Sequence, residues 1–342
     1  MSALRRVRCT GPGISRRRHG RGFTYVHPNG QLVRDDATRE RIRSLAIPPA
    51  WKDVWICPDD RGHLQAVGTD AAGRKQYLYH EDWRARRDRQ KFDRALRLAR
   101  RLPTMRKICD RDIASRGLTR ERALAGAVRL LDLGFFRIGS EAYTEENGSY
   151  GLATLRRSHA RVSGDEIHFD FAAKSGQRRI QSIRDPALAR LTSALLRRKG
   201  GGRELLAFRD GKAWRDVRSE DINAYLKDLA DEEISAKDFR TWHATVLTAA
   251  LLASEEEGLT SVTSRKRVVS TVVKSVAEAL GNTPAISRKS YVHPALIEAV
   301  KGAPGKRLGL QCPRPTKYLS SAERGLIAFL GRKRARKAGA RR

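Results

Sequence analysis

The sequence predicts an α+β protein, with a small antiparallel β-rich N-terminal domain followed by a larger, mainly α-helical domain that carries a small three-stranded β-sheet. Three observations predict this. Short apolar stretches punctuated by turn residues fill positions 22–80, helix-period segments take over after Trp83, and a period of two returns between His159 and Ile183. A length of 342 residues suits two domains.

Residues 1–20 hold Gly11-Pro12-Gly13 and Arg16-Arg17-Arg18 with little to pack, and read as a mobile basic arm. Phe23–His27 and Gln31–Arg34 flank Pro28-Asn29-Gly30, a hairpin signal. Ala37–Leu45 reads as a helix ending before Ile47-Pro48-Pro49. Val54–Cys57, His63–Thr69 and Arg74–His80 read as strands separated by turns. On the last of these, side chains alternate between faces. Gln76 suits a base edge in a major groove, while Arg74, Lys75, Tyr77 and Tyr79 suit phosphates or base faces. As ordinary sheet residues, the same tyrosines would simply pack and the cations would be solvated.

The domain boundary is placed near residue 90, within the charged helix Asp82–Leu102, where Phe92, Leu96 and Ala99 recur at helical spacing. Thr119 opens a second helix with Ala123, Ala127, Leu130 and Leu131 on its apolar side, running toward Phe135-Phe136-Arg137-Ile138-Gly139. His159–Ser163, Glu166–Ala173 and Arg178–Ile183 read as three strands, and Lys174 falls at the tip of the second hairpin. A loop at Lys199–Gly202 and a helix at Asp221–Leu229 follow. Lys237–Glu257 is amphipathic, with Phe239, Trp242, Val246 and Ala253 on the buried stripe and Arg240 and His243 on a neighbouring face. Taken alone, Arg240 reads as a surface cation and His243 as a partly buried, hydrogen-bonded histidine. Val268, Val269, Val272, Val273, Val276 and Leu280 mark a helix that ends at Gly281, and Pro294–Val300 marks another. Arg332–Arg342 reads as a basic tail.

Charge narrows the function. Seventy Lys and Arg against 38 Asp and Glu give +32, and nucleic acid is the usual polyanion that answers such a potential. A basic binding protein without chemistry, or an enzyme from an arginine-rich proteome, would share that balance. Cys9, Cys57, Cys109 and Cys312 form no Cys-x-x-Cys pair, so no zinc knuckle or redox motif is indicated and a reducing cytoplasm is expected. No apolar run follows the N-terminal arginines as a secretion signal would require, no membrane span is read, and no phosphate-binding Gly-x-x-x-x-Gly-Lys loop occurs.

Tyr291 is the candidate nucleophile. An unperturbed phenol has a pKa of about 10 and attacks poorly at neutral pH, so it needs cations around it. In sequence Arg288 and Lys289 supply them.

Arg137 in Phe-Arg-Ile-Gly-Ser-Glu, Lys174 in Ala-Ala-Lys-Ser-Gly, Arg240 in Lys-Asp-Phe-Arg-Thr-Trp and Tyr291 in Ser-Arg-Lys-Ser-Tyr together resemble the catalytic motifs of type IB DNA topoisomerases, closest to the compact bacterial and poxvirus branch. Ile47-Pro48-Pro49-Ala50-Trp51-Lys52-Asp53-Val54 and Gly73-Arg74-Lys75-Gln76-Tyr77 look like that branch's small domain. The resemblance spans roughly residues 20–300. It implies a β-rich DNA-binding domain at 21–90, a catalytic domain at 91–318 and a C-terminal segment at 319–342 ending in the basic tail.

The resemblance also implies a mechanism. Tyr291 would form a 3′-phosphotyrosyl bond, Arg137 and Arg240 would bind the phosphate, and Lys174 would act as general acid. Asn282 stands where the family commonly has histidine; its amide can donate a hydrogen bond but cannot carry charge. Supercoils would relax by strand swivelling without ATP, metal or another cofactor. The implied partner is double-stranded DNA, with a monomeric protein working in the cytoplasm at the nucleoid. Tyrosine recombinases share the catalytic constellation, and Leu280-Gly281-Asn282 ahead of Tyr291 is similar to theirs, but their N-terminal domain differs. A site-specific recombinase and a non-catalytic basic DNA-binding protein are the two alternatives.

Overall fold

This computed structural model describes residues 3–302 and 308–339. The chain divides into two compact units, Met1–Gln90 and Lys91–Arg342. The first two residues of the expected basic arm and the last three of the expected basic tail, 340–342, lie outside the described residues.

In the first unit, β1 (Ile14–His19), β2 (Gly22–Val26), β3 (Lys52–Ile56), β4 (Leu64–Thr69) and β5 (Lys75–Tyr79) form an antiparallel sheet in the order β2-β1-β3-β4-β5. Helix α1 (Asp36–Ser44) is capped by the Asp35 carboxylate, which accepts from the Thr38 N–H at 2.8 Å. Ile14, Val33, Ile42, Val54, Ile56 and Ala66 make the core.

The N-terminal segment differs from expectation. Residues 14–19 form β1 and not a mobile arm, because an arginine takes an apolar residue's place in the packing. The Arg16 guanidinium lies 4.1 Å from the Phe23 ring centroid and donates to the carbonyls of Pro48 at 3.1 Å and Trp51 at 2.6 Å. The hairpin closes between His19 and Gly22, with Gly20 at φ 54°, while the Asn29-Gly30 turn closes only an isolated bridge between Val26 and Leu32.

Helix α2 (Glu81–Ala114) contains the division between the units. After it come α3 (Arg120–Gly134), α4 (Glu141–Asn147) and the antiparallel sheet of β6 (Ala160–Ser163), β7 (Glu166–Ala172) and β8 (Arg178–Arg184). Ile167, Phe169 and Phe171 alternate inward on β7. The remaining elements are α5 (Pro186–Arg197), the hairpin of β9 (Ala207–Asp210) and β10 (Ala213–Asp216), α6 (Ser219–Ala230), α7 (Ala236–Ser254), α8 (Val262–Leu280), α9 (Pro284–Ser290), α10 (Pro294–Val300) and α11 (Ser321–Gly339). Trp242 and Phe239 are buried, as the stripe on α7 requires.

The C-terminal segment contributes to the core of the second unit. Leu326, Phe329 and Leu330 of α11 are buried, and α11 packs on α7. A buried ionic cluster fastens it. Arg106 of α2 donates from Nε to Asp132 Oδ2 at 2.7 Å and from Nη2 to Asp132 Oδ1 at 2.9 Å, and it reaches Glu323 of α11 through Nη1 at 3.0 Å and Nη2 at 2.7 Å. Burial pushes both carboxylates up, yet hydrogen bonding outweighs it: His243 and Arg106 hold Asp132, and Arg106 holds Glu323, below the usual carboxylate range.

Arg106→Ala leaves two carboxylates buried without their cation, so urea unfolding should show a loss of about 3–5 kcal/mol. Because both carboxylates titrate lower folded than unfolded, their contribution is complete above the unfolded carboxylate range and is lost as pH falls through the folded values. An acid-side stability slope that is steep in the wild type and shallower in Arg106→Ala is the matching observation.

Candidate active site

The end of helix α8 organises the site. A helix leaves its last carbonyls without intrahelical partners and carries partial negative charge there. Gly281 adopts a left-handed φ of 59°, so its N–H turns back to Glu278 O at 3.0 Å and the Asn282 N–H reaches Ala277 O at 2.9 Å. Three arginines from three other segments take the next carbonyls. Arg179 Nη2 donates to Ala279 O at 2.7 Å, Arg240 Nη2 to Leu280 O at 2.9 Å, and Arg137 Nη2 to Gly281 O at 3.0 Å.

Arg137 is aimed by its backbone. The chain leaves α3 through Phe135 at φ 53°. The Arg137 and Ile138 carbonyls then accept from Leu152 N at 2.8 Å and Ala153 N at 2.7 Å. Gly139, at φ 79°, permits this: a Cβ there would come within 2.8 Å of Gly151 Cα. The Phe-Arg-Ile-Gly motif is thus a rigid presentation of one guanidinium.

Arg240, read from its helix face as a surface cation, is only 4% exposed. Its Nη1 donates to Phe135 O, and its guanidinium carbon lies 5.4 Å from the Tyr291 ring centroid. Burial and then repulsion from Arg137 push its pKa down to about 10, so it stays charged at neutral pH. Its Nε is a buried donor without a partner among the described residues, and so is Asn282 Nδ2, while Asn282 Oδ1 accepts from Arg137 Nη2 at 2.6 Å.

Tyr291 follows α9, its N–H bonded to Ser287 O at 2.9 Å and its carbonyl accepting from Thr245 Oγ1 of α7 at 3.1 Å. Burial pushes the phenol up, but Arg240, Arg137 and Lys237 outweigh it and hold the pKa below the ordinary phenol value. Arg288 and Lys289, the cations beside it in sequence, are exposed on α9. The basic company of Tyr291 is therefore assembled in space from α7 and the α3 exit.

Lys174 is exposed in the turn between β7 and β8, where Ser175 and Gly176 have φ of 64° and 71°. His243 does not take the place of Asn282. Its Nε2 lies 3.1 Å from Asp132 Oδ1, with the ring between Phe135 and Phe239 at centroid distances of 5.9 and 6.0 Å. Sequence reasoning missed Arg179 and Thr245, which stand in no recognisable motif, and Lys237, which opens the Lys-Asp-Phe-Arg-Thr-Trp motif but was passed over for Arg240. Among the described residues no group of three or more His, Cys, Asp or Glu is placed to hold a metal ion.

In the other unit, β5 presents Tyr77 and Tyr79, 46% and 37% exposed, with rings stacked 6.2 Å apart, and Lys75 on the same face. Arg74 and Gln76 are tied to Asp70, whose Oδ2 accepts from Arg74 Nη2 at 2.8 Å and from Gln76 Nε2 at 2.9 Å. Gln76 thus separates from the tyrosine face, as alternation along a strand requires.

Comparison with known proteins gives two family matches: the catalytic core of eukaryotic DNA topoisomerase I over residues 80–305, and the N-terminal domain of bacterial DNA topoisomerase IB over residues 22–70. The chain is 32% identical over 300 residues to DNA topoisomerase 1B of Acanthamoeba polyphaga mimivirus, covering 85% of this chain and 88% of the relative. It is 24% identical over 295 residues to DNA topoisomerase 1B of vaccinia virus (strain Copenhagen), covering 82% and 88%.

The electrostatics of Tyr291 can be titrated directly. The ultraviolet difference between wild type and Tyr291→Phe, recorded without DNA, should show a phenol that ionises below the ordinary tyrosine range. Arg240→Gln removes the nearest cation and should move that ionisation upward; an unmoved titration would show that Arg240 does not set it.

Proposed function

Because the chain belongs to the type IB DNA topoisomerase family, we propose that it relaxes supercoiled DNA by a tyrosine-mediated strand transfer centred on Tyr291. The Tyr291 Oη attacks a backbone phosphorus, its proton passing to water, and the P–O5′ bond breaks as the phenolic O–P bond forms. The strand is left joined through a 3′-phosphotyrosyl linkage with a free 5′-hydroxyl. Attack of that hydroxyl reverses the step, so the bond energy is conserved and ATP is not consumed. Between the two steps the broken strand swivels about the intact one.

The convergence of Arg137, Arg240 and Asn282 beside Tyr291 at the end of α8 is the observation that carries this proposal. The two guanidiniums bind the non-bridging oxygens, on which charge accumulates in the transition state. The unpartnered Arg240 Nε and Asn282 Nδ2 supply further donors. Lys174 protonates the departing 5′-oxygen, a role that its exposed turn gives it room to perform. With the charge supplied by guanidiniums, the step is proposed to run without a divalent ion.

Exposed Lys75, Tyr77 and Tyr79 are proposed to contact duplex DNA. Phosphate contacts of this kind weaken steeply with salt. No helix among the described residues is long and apolar enough to cross a membrane. Work as a monomer at the nucleoid fits the proposed activity.

Supercoiled plasmid incubated in EDTA without ATP should be relaxed by the wild type, and denaturant should trap protein on the 3′ end of the nicked strand. Tyr291→Phe should abolish both; relaxation that persists in that variant, or that needs a divalent ion, overturns the proposal. Asn282→Ala removes one donor and should slow single-turnover cleavage by about 10²–10³-fold, while Asn282→His should remain active.

A further inference from the structure

Strand β8 breaks the pattern of the sheet it completes. Opposite the buried Phe171, Phe169 and Ile167 of β7 stand Arg179, Gln181 and Ile183, so two of three inward positions on β8 are polar, while Ile180 points outward and is 66% exposed. An inward arginine at such a place requires partners. Arg179 Nη2 donates to Ala279 O at 2.7 Å, its Nη1 lies 3.5 Å from Glu278 O, and Gln181 Oε1 holds its Nε at 3.0 Å. Burial and then Arg137 lower its pKa, and no carboxylate counts among the influences on it. The side chain occupies a costly position, and its partners are two main-chain oxygens and the neutral amide of Gln181.

The placement matters because of what else the hairpin bears. The first rung from the turn pairs Ala172 with Arg178 and the second pairs Phe171 with Arg179, so Arg179 sits two rungs from the turn that carries Lys174. Its carbonyl partners lie two and three residues before Gly281, where α8 ends and Asn282 begins the segment leading to Tyr291. A Cβ on Gly281 would come within 3.5 Å of Arg179 Nη1, so the guanidinium rests directly against that turn.

We infer that Arg179 is a positioning residue that fastens the Lys174 hairpin to the end of α8, and thereby brings the general acid within reach of the leaving 5′-oxygen. This rests on the proposed role of Lys174 and extends it to a residue that does not itself touch the reacting atoms. A tether of this kind acts on protonation of the leaving group. Its loss should therefore resemble loss of Lys174, whereas general loosening of the fold or of phosphate binding would not.

The test is single-turnover cleavage of a duplex with an ordinary 5′-oxygen at the scissile phosphate, beside one with a bridging 5′-sulfur, whose thiolate departs without a proton. Arg179→Ala should slow the oxygen substrate by about 10²-fold and leave the sulfur substrate within a few-fold of wild type. The double variant Arg179→Ala/Lys174→Ala should be no slower than Lys174→Ala alone. Arg179→Gln, which keeps one donor for Ala279 O, should recover part of the rate and provides the measurement if the alanine variant does not fold. Equal slowing on both substrates, wild-type rates on both, or additive losses in the double variant overturn the inference. Lys174→Ala that is not rescued by sulfur overturns the proposed acid itself, a failure visible without any Arg179 variant.

Discussion

The unpaired carbonyls at the end of α8 are the constraint from which the site follows. Ala279, Leu280 and Gly281 present their oxygens where no further helical turn can receive them, and one guanidinium answers each. The cations come from β8, α7 and the exit of α3, so capping one helix draws in segments 100, 40 and 144 residues away along the chain. Arginine suits this because its fork can hold a carbonyl with one nitrogen and leave others directed elsewhere. Arg240 does so with Phe135 O and Leu280 O while its Nε remains available.

Gathering cations in this way has an electrostatic consequence. Arg137 lowers the pKa of both Arg240 and Arg179, and the hydrogen bonds that hold these two guanidiniums go to main-chain carbonyls and the Gln181 amide. Helix-end carbonyls carry only partial negative charge, so they compensate the guanidiniums of Arg179 and Arg240 only in part, which fits the proposed phosphate site. The same field lowers the Tyr291 phenol against the opposing effect of its burial. Elsewhere in the unit, Arg106 is fully matched by Asp132 and Glu323. The contrast between a saturated arginine and unsaturated ones separates the structural cluster from the candidate site.

Much of this was legible in the sequence, and the exceptions have physical causes. The apolar period of α8 survives its β-branched composition, and Trp242 announces the buried stripe of α7. Lys174 was readable as a turn residue because Ser175-Gly176 follows it. The antiparallel N-terminal sheet and the three-stranded sheet follow from period-two stretches between turns. Strand β1 was missed because Arg16 packs where a pattern search looks for an apolar residue. The core role of α11 was obscured by the basic residues around its few buried ones, and its anchor, Glu323, is recognisable only beside Arg106. Arg179 escaped because Ile180 and Ile183, three positions apart, do not reveal which face of β8 turns inward. Arg288 and Lys289 misdirected attention for the converse reason: neighbours in sequence are exposed on α9, while the charges that act on Tyr291 arrive from elsewhere.

The capping of α8 bears on how such a site can diverge. Its arginines recognise peptide oxygens, which every residue type supplies, so the chemical identities of Glu278, Ala279 and Leu280 are not what the guanidiniums read. Substitutions among helix formers in that turn leave the carbonyl array in place, provided Gly281 keeps its left-handed turn and packing is respected. A catalytic architecture written in main-chain geometry can drift in its supporting sequence while its few motif residues stay fixed. Such a site is more durable over evolutionary distance than one held together by paired side chains, in which each change demands a compensating second one.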